Sequence, residues 1–249
     1  MPGPDGLDLP LFAGGPAGCV AGPGGWWLAP EGAVIHLESH TAVIADVHLG
    51  YEWARGMRGD ALPAHSLVET LEKLGRLFGR FPVRRLVVAG DLVESAAPCE
   101  RVRCDLNQLE AWLGERCIEF VPVAGNHDPA PLPSSIDLAG WTIAHGHLPL
   151  DAPHAIMGHH HPMLRVGGHA APCFLVGPER IILPAFSPNA AGIDVRALVR
   201  GQAISGKGLC CWVAVEDALL DFGPVSTLSA RLRGMRKESP VSHTSRGRA

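Results

Sequence analysis

Ile118-Glu119-Phe120-Val121-Pro122-Val123-Ala124-Gly125-Asn126-His127-Asp128 decides the fold of this chain. Residues 118–124 form a short, mainly apolar run of the length of a buried strand. The run ends on a glycine and three residues that carry chemistry. Working outward, the same arrangement recurs. Thr41–Ala45 runs into Asp46-Val47-His48, and Arg84–Ala89 runs into Gly90-Asp91. Between the three strands lie two helical patterns. Pro63–Phe81 places Leu67, Leu71, Leu74 and Phe78 on one face, and Glu100–Arg116 does so with Leu106, Leu109 and Leu113. Three strands alternating with two helices predict a parallel arrangement with the site at the C-terminal strand ends.

Upstream, Trp26-Trp27-Leu28 and Ala33–Leu37 look like a leading hairpin. Downstream the pattern changes to short β-like pieces at Trp141–Ala144, Ala155–Met157, Cys173–Val176, Arg180–Leu183 and Leu209–Val215. A βαβαβ half followed by a β-rich half predicts two packed sheets with helices outside. His145-Gly146 and Gly158-His159-His160-His161 end two of the later pieces, so five strand ends carry candidate ligands.

The chain of 249 residues, 47% hydrophobic, is long enough for one α/β domain with a proper core. A net charge of −4 gives no global field favouring nucleic acid. The seven cysteines are odd in number, and no C-x-x-C spacing occurs. They are expected to be reduced thiols of a cytoplasmic protein, with Cys210 and Cys211 on opposite faces of a strand. No run suits a membrane span or a signal peptide. Residues 1–25, rich in Gly and Pro, are expected to be loose, with the domain over 26–230. The basic segment 231–249 is expected to be a disordered tail.

The ligand inventory is specific. Asp46 and His48, two apart, should face one side of an extended segment, with Val47 turned to the core. His159 and His161 repeat that spacing, which sends His160 elsewhere. Asp91 is the natural bridging carboxylate, Asn126 offers an amide oxygen, and His145 (with His147 competing) another imidazole. Such a set can hold two divalent ions that activate a shared water, and the resulting hydroxide attacks phosphorus. His127, beside a ligand without being needed as one, is the candidate acid for the leaving oxygen. Asp128 would orient its ring. Mixed N and O donors suit manganese, iron or zinc.

The ladder Asp46-x-His48, Gly90-Asp91, Gly125-Asn126-His127-Asp128, His145-Gly146, Gly158-His159-x-His161 resembles the calcineurin-like metallophosphoesterases over about residues 26–200. The resemblance implies a four-layer α/β/β/α sandwich of two mostly mixed β-sheets flanked by helices. It implies one metal at Asp46, His48, Asp91 and His161, and a second at Asp91, Asn126, His145 and His159. Ala45-Asp46-Val47-His48-Leu49-Gly50, Arg58-Gly59 and Leu183-Pro184-Ala185-Phe186 are similar to a narrower branch. That branch comprises the small ligase-associated and archaeal nuclease-related phosphoesterases. It implies a Mn-dependent DNA nuclease or phosphodiesterase, with a helicase and a DNA ligase as partners.

Only sixteen residues separate Asp128 from His145, so no cap domain fits there and the site should be open. Between Tyr51 and Leu62, Arg55 and Arg58 suit phosphate, and Tyr51 and Trp53 suit base stacking. An ordinary loop is the competing account of that segment. The leading expectation is a phosphodiesterase, with single-stranded DNA as a candidate substrate. The alternatives are a phosphomonoesterase or nucleotide-derived small-molecule phosphohydrolase, and a non-catalytic scaffold retaining its metal site.

Overall fold

The computed structural model describes residues 16–97, 99–129 and 131–238, with side chains through residue 233. One sheet contains β1 (Val20–Ala21), β2 (Trp26–Ala29), β3 (Ala33–His36), β4 (Thr41–Ile44), β5 (Arg85–Ala89) and β6 (Glu119–Val123), side by side in chain order. β1 to β4 pair antiparallel, and β4, β5 and β6 pair parallel. The parallel connections are α1 (Tyr51–Gly56) with α2 (Ser66–Arg80), and then α3 (Glu100–Gly114).

The second sheet is built from β7 (Ser135–Leu138), β8 (Trp141–Ala144), β9 (Ala155–Met157), β10 (Pro162–Val166), β11 (His169–Val176), β12 (Arg180–Ile182) and β13 (Ile193–Asp194). β14 (Cys210–Val215) pairs with β11, and β15 (Ala218–Pro224) pairs with β14. β8, β9 and β12 are parallel neighbours, so this sheet too sends loops from one end of a parallel set. Two helices, α4 (Val195–Arg200) and α5 (Leu228–Glu238), complete the chain.

Alternation along the strands sorts the core into three layers. Ala42, Ile44, Leu86 and Val88 face Leu74, Leu77, Leu109 and Leu113 of α2 and α3. Their neighbours Val43, Ala45, Val87 and Ala89 face Trp141, Ile143, Ile156, Phe174 and Ile181 of the other sheet. Beyond that sheet, Cys173, Leu175 and Ile182 meet Val195, Leu198, Leu228 and Leu232 of α4 and α5. Three apolar interfaces between four layers make an α/β/β/α sandwich. Every strand of its centre is buried on both faces, which is why those segments read as continuous apolar runs.

Three expectations change. The segment 1–25 is not loose throughout: β1 pairs with β2, and Cys19 and Val20 pack on the cores; residues 1–15 lie outside the described residues. α5 carries the chain eight residues into the basic segment, because Leu228 and Leu232, one turn apart, are buried against the second sheet. The rest of that segment, 239–249, lies outside the described residues. Tyr51–Leu62 opens as helix α1 instead of a loop. Its Glu52, 4% exposed, accepts hydrogen bonds from the backbone N–H groups of His65 and Ser66 and from Ser66 Oγ, satisfying donors at the start of α2.

All seven thiols are unpaired, and Cys211 is buried while Cys210 is less so, as expected for opposite faces. Among the described residues no helix is long and apolar enough to cross a membrane.

Candidate metal centre

The loops after β4, β5, β6, β8 and β9 converge at one end of the two sheets. Asp46 and His48 follow β4, Asp91 follows β5, His145 follows β8, and His159 and His161 follow β9. The backbone there is strained. Asp46, His48, Asp91, His159 and His161 have φ of 56°, 50°, 48°, 66° and 41°, half of the positive-φ non-glycine residues described. Such conformations cost about 1–3 kcal/mol each and persist where the surroundings over-determine them. Asp46 and His48 thus share a side, as their spacing predicts, but through two left-handed residues and not through an extended strand. Val47 between them is buried in the helix-side core. The backbone N–H groups of Asp46 and His48 donate to the Gly90 and Asp91 carbonyls at 3.1 and 2.9 Å, which locks the two loops together.

Two glycines admit the carboxylates. A Cβ on Gly125 would lie 2.1 Å from Asp91 Oδ1, and one on Gly158 would lie 2.4 Å from Asp46 Oδ2.

Asp46 and Asp91 stand at the centre, 0% and 2% exposed. Asp46 Oδ1 is 3.0 Å from His145 Nε2 and 3.2 Å from His161 Nε2. Asp91 Oδ2 is 3.3 Å from His145 Nε2 and 4.0 Å from both His48 Nε2 and His127 Nε2. Three sets of donor atoms lie mutually within 4.8 Å: Asp46, His48 and His161; Asp46, Asp91 and His145; and His48, Glu94 and His127. Ligands about 2.1 Å from a shared ion stand roughly 3.0–3.5 Å apart, so most of these spacings match edges of a coordination shell. A second observation fits a cation. His48 is buried, yet neither ring nitrogen has a hydrogen-bond partner. Glu94 Oε2 is 2.9 Å from His48 Nδ1 but off the direction a hydrogen bond requires.

Electrostatics point the same way. Burial would raise the Asp46 carboxyl, but His145 and His161 outweigh it and bring it down to about 2. Asp91 is likewise lowered against its burial by His145 and the His127 backbone N–H. Burial would lower His145, but Asp46 and Asp91 raise it to about 9. His159 drops to about 4 through burial and the charge of His145. Crowded imidazoles cannot all be protonated beside one another. The ionised carboxylates suit a divalent ion, which would displace the proton that His145 holds without it.

His145 and not His147 faces the carboxylates; His147 Nδ1 lies 3.0 Å from His145 Nδ1, on the ring's other side. His159 packs edge-on against His145 with ring centroids 4.8 Å apart, and its backbone N–H donates to Asp46 Oδ2 at 2.9 Å. Asn126 is exposed, between Gly125 and His127, both of which abut Asp91. Asp46, expected to serve one ion, belongs to two of the three sets, whereas Asp91 faces the largest number of imidazoles.

The orienting role expected of Asp128 is corrected. Its Oδ2 accepts from Gly125 N at 2.9 Å and its Oδ1 from Val93 N at 3.1 Å, so it ties the β6 loop to the β5 loop. Burial raises its carboxyl despite those bonds. His127 is held instead by the Glu94 carbonyl oxygen, 2.7 Å from Nδ1. Glu94 escaped the sequence reading. Its one signal is an acid three residues beyond Asp91, in a loop with no periodicity to assign its direction.

Arg58 lines a groove of about 400 Å³ beside the centre, together with Trp53, Glu94 and His127. Arg55 pairs with Asp60, and its guanidinium lies 6.0 Å from the Tyr51 ring; neither Arg55 nor Tyr51 lines the groove. Trp53 is partly committed elsewhere, donating from Nε1 to Asp105 at 3.2 Å with Arg101 4.6 Å above its ring.

Neither protein-family models nor curated proteins give a match to this chain. Among solved structures it is similar to the crystal structure of Pseudomonas putida nuclease MPE. The TM-score is 0.63 at 21% sequence identity, over 81% of this chain and 98% of that one. At that identity the likeness is one of fold: this chain has the architecture of that nuclease, with an Asp/His cluster at the ends of its parallel strands.

Proposed function

We propose that this protein is a metal-dependent phosphodiesterase that cleaves DNA, taking manganese first. The observation that carries the proposal is the convergence of Asp46, His48, Asp91, His145 and His161 from both sheets, with the nitrogens of buried His48 left unpartnered. The nuclease named in the structural neighbour supports the polymer substrate. In that setting the protein would work in the cytoplasm beside a helicase and a DNA ligase.

Asp46, Asp91 and the imidazoles of His48, His145, His159 and His161, with the Asn126 amide, would hold two divalent ions. Such ions neutralise phosphoryl charge and activate water as the nucleophile. The chain's own residues supply the rest. Asp91, faced by the imidazoles of His48, His127 and His145, would be a ligand of that pair. His127, 37% exposed at its side chain, projects from the same carboxylate into the open groove. Its Nδ1 donates to a carbonyl, so Nε2 is the atom that meets substrate and passes a proton to the leaving oxygen.

The test is hydrolysis of bis-p-nitrophenyl phosphate, p-nitrophenyl phosphate and single-stranded DNA with Mn²⁺ after chelator stripping. Turnover of the diester and of DNA is expected. Turnover of the monoester alone would overturn the nuclease assignment, and activity unaffected by the chelator would overturn the metal centre.

A further inference from the structure

The groove beside the centre is not accounted for by the ligands. It is bounded by α1, by the loop after β5 and by the start of α3. His127 and Glu94 form its inner end, so it opens directly from the metal centre on the side of the proton donor. Its lining is mixed, with an apolar part: Leu49 and Val102 are buried beneath it, and Trp53 and Met57, the latter 85% exposed, border it. At the outer end, Arg58 is exposed.

We propose that this groove is the leaving-group subsite and that it takes the nucleobase and sugar of the departing nucleoside. The inference rests on the phosphodiesterase reading above. A group that receives its proton from His127 must lie on the His127 side of phosphorus, and this groove is lined by that residue. Its volume of about 400 Å³ suits a nucleoside. Half-buried Trp53 and exposed Met57, over the buried floor of Leu49 and Val102, offer a flat base the apolar contact that it loses on unstacking. Arg58 at the mouth stands where the next phosphate of a strand would pass, and its guanidinium suits that group. Arg101, 4.6 Å over the Trp53 ring and outside the groove lining, helps to hold the indole in place. The departing nucleoside is therefore gripped through its base.

The experiment compares a thymidine dinucleotide with two analogues, each lacking one base, in the Mn²⁺-loaded protein. The nucleoside that leaves is identified from the products. Removing the base of the leaving nucleoside is expected to lower kcat/KM on the order of tenfold to a hundredfold. Removing the base of the retained nucleotide should cost markedly less. In Ala97→Trp, which narrows the groove from an exposed loop position, the penalty for the missing leaving-side base should shrink towards onefold. Equal penalties on the two sides, a larger one on the retained side, or an unchanged penalty in Ala97→Trp would overturn the subsite. No hydrolysis of any diester, bis-p-nitrophenyl phosphate included, would overturn the phosphodiesterase reading itself and this subsite with it.

Discussion

The backbone carbonyl oxygen of Glu94 lies 2.7 Å from Nδ1 of His127. A carbonyl only accepts, so the ring must carry its proton on Nδ1. A neutral His127 therefore presents a bare Nε2 to the centre, and only the doubly protonated ring can serve as an acid. The consequence depends on the leaving group. p-Nitrophenolate departs with little need of a proton, whereas a nucleoside alkoxide needs one. His127→Ala should lower kcat on dinucleotides by about 10²–10⁴-fold and on bis-p-nitrophenyl phosphate by much less. Metal content, read by elemental analysis, should stay at the wild-type level. Equal losses on both substrates would remove the acid assignment.

The side chain of the same glutamate bears on the metal. Its Oε2 is 2.9 Å from His48 Nδ1 and needs only a small turn to accept a hydrogen bond from it. That contact would leave Nε2 free to face Asp91, 4.0 Å away. Outer partners of this kind fix the tautomer of a ligating imidazole. Glu94→Ala keeps the carbonyl that holds His127 but removes the carboxylate. Metal affinity should fall about 10–100-fold, with kcat restored at saturating Mn²⁺. A calorimetric titration that matches the wild type would show Glu94 to be irrelevant to the centre.

The contrast between Asp91 and Glu94 shows what sequence could and could not reveal. Asp46, Asp91 and His145 were legible because each follows a strand buried on both faces, so the apolar run itself marks where the polar residue must emerge. The helices α2 and α3 were legible through their leucine spacing. α1, with six residues, is too short to show a period, and its inward residue is Glu52, which apolar periodicity cannot find. β7 and β15 were missed because each is exposed or half-buried along most of its length and forms no continuous apolar run. Asp128 was misassigned because chain adjacency suggested His127 as its partner. In the structure the turn carries its carboxylate back to Gly125 N, a contact set by local dihedrals that no residue pattern reports.

Asp128 therefore predicts a structural phenotype. Its carboxylate satisfies two backbone donors in loops that carry Asp91 and His127. Asp128→Ala leaves both N–H groups unpaired at a half-buried position, which costs about 1–3 kcal/mol. Asp128→Asn retains an acceptor for one of them and should recover part of the loss. Urea unfolding of the two variants checks the order. The pH dependence of kcat should keep its wild-type form in both, since Asp128 does not touch the His127 ring. A shifted profile would restore the orienting role.

Gly158 tests whether the carboxylates are positioned by the absence of side chains around them. A Cβ there would fall 2.4 Å from Asp46 Oδ2 and 2.5 Å from the Ala45 Cβ, both fully buried and unable to retreat. Gly75, in the middle of α2, has nothing within 4 Å of its would-be Cβ. The same methyl should have opposite effects at the two sites. Gly75→Ala should raise stability by about 0.5–1 kcal/mol through the lower entropy of the unfolded chain, and leave metal content unchanged. Gly158→Ala should lower it by about 1–3 kcal/mol through overpacking, and should also displace Asp46 so that bound metal is lost. Thermal unfolding with and without Mn²⁺ separates the two effects. In the wild type and in Gly75→Ala, Mn²⁺ should raise Tm, because it binds the folded state. In Gly158→Ala that increment should shrink or vanish. A full Mn²⁺-induced rise in Gly158→Ala would show that Asp46 does not need the space the glycine leaves.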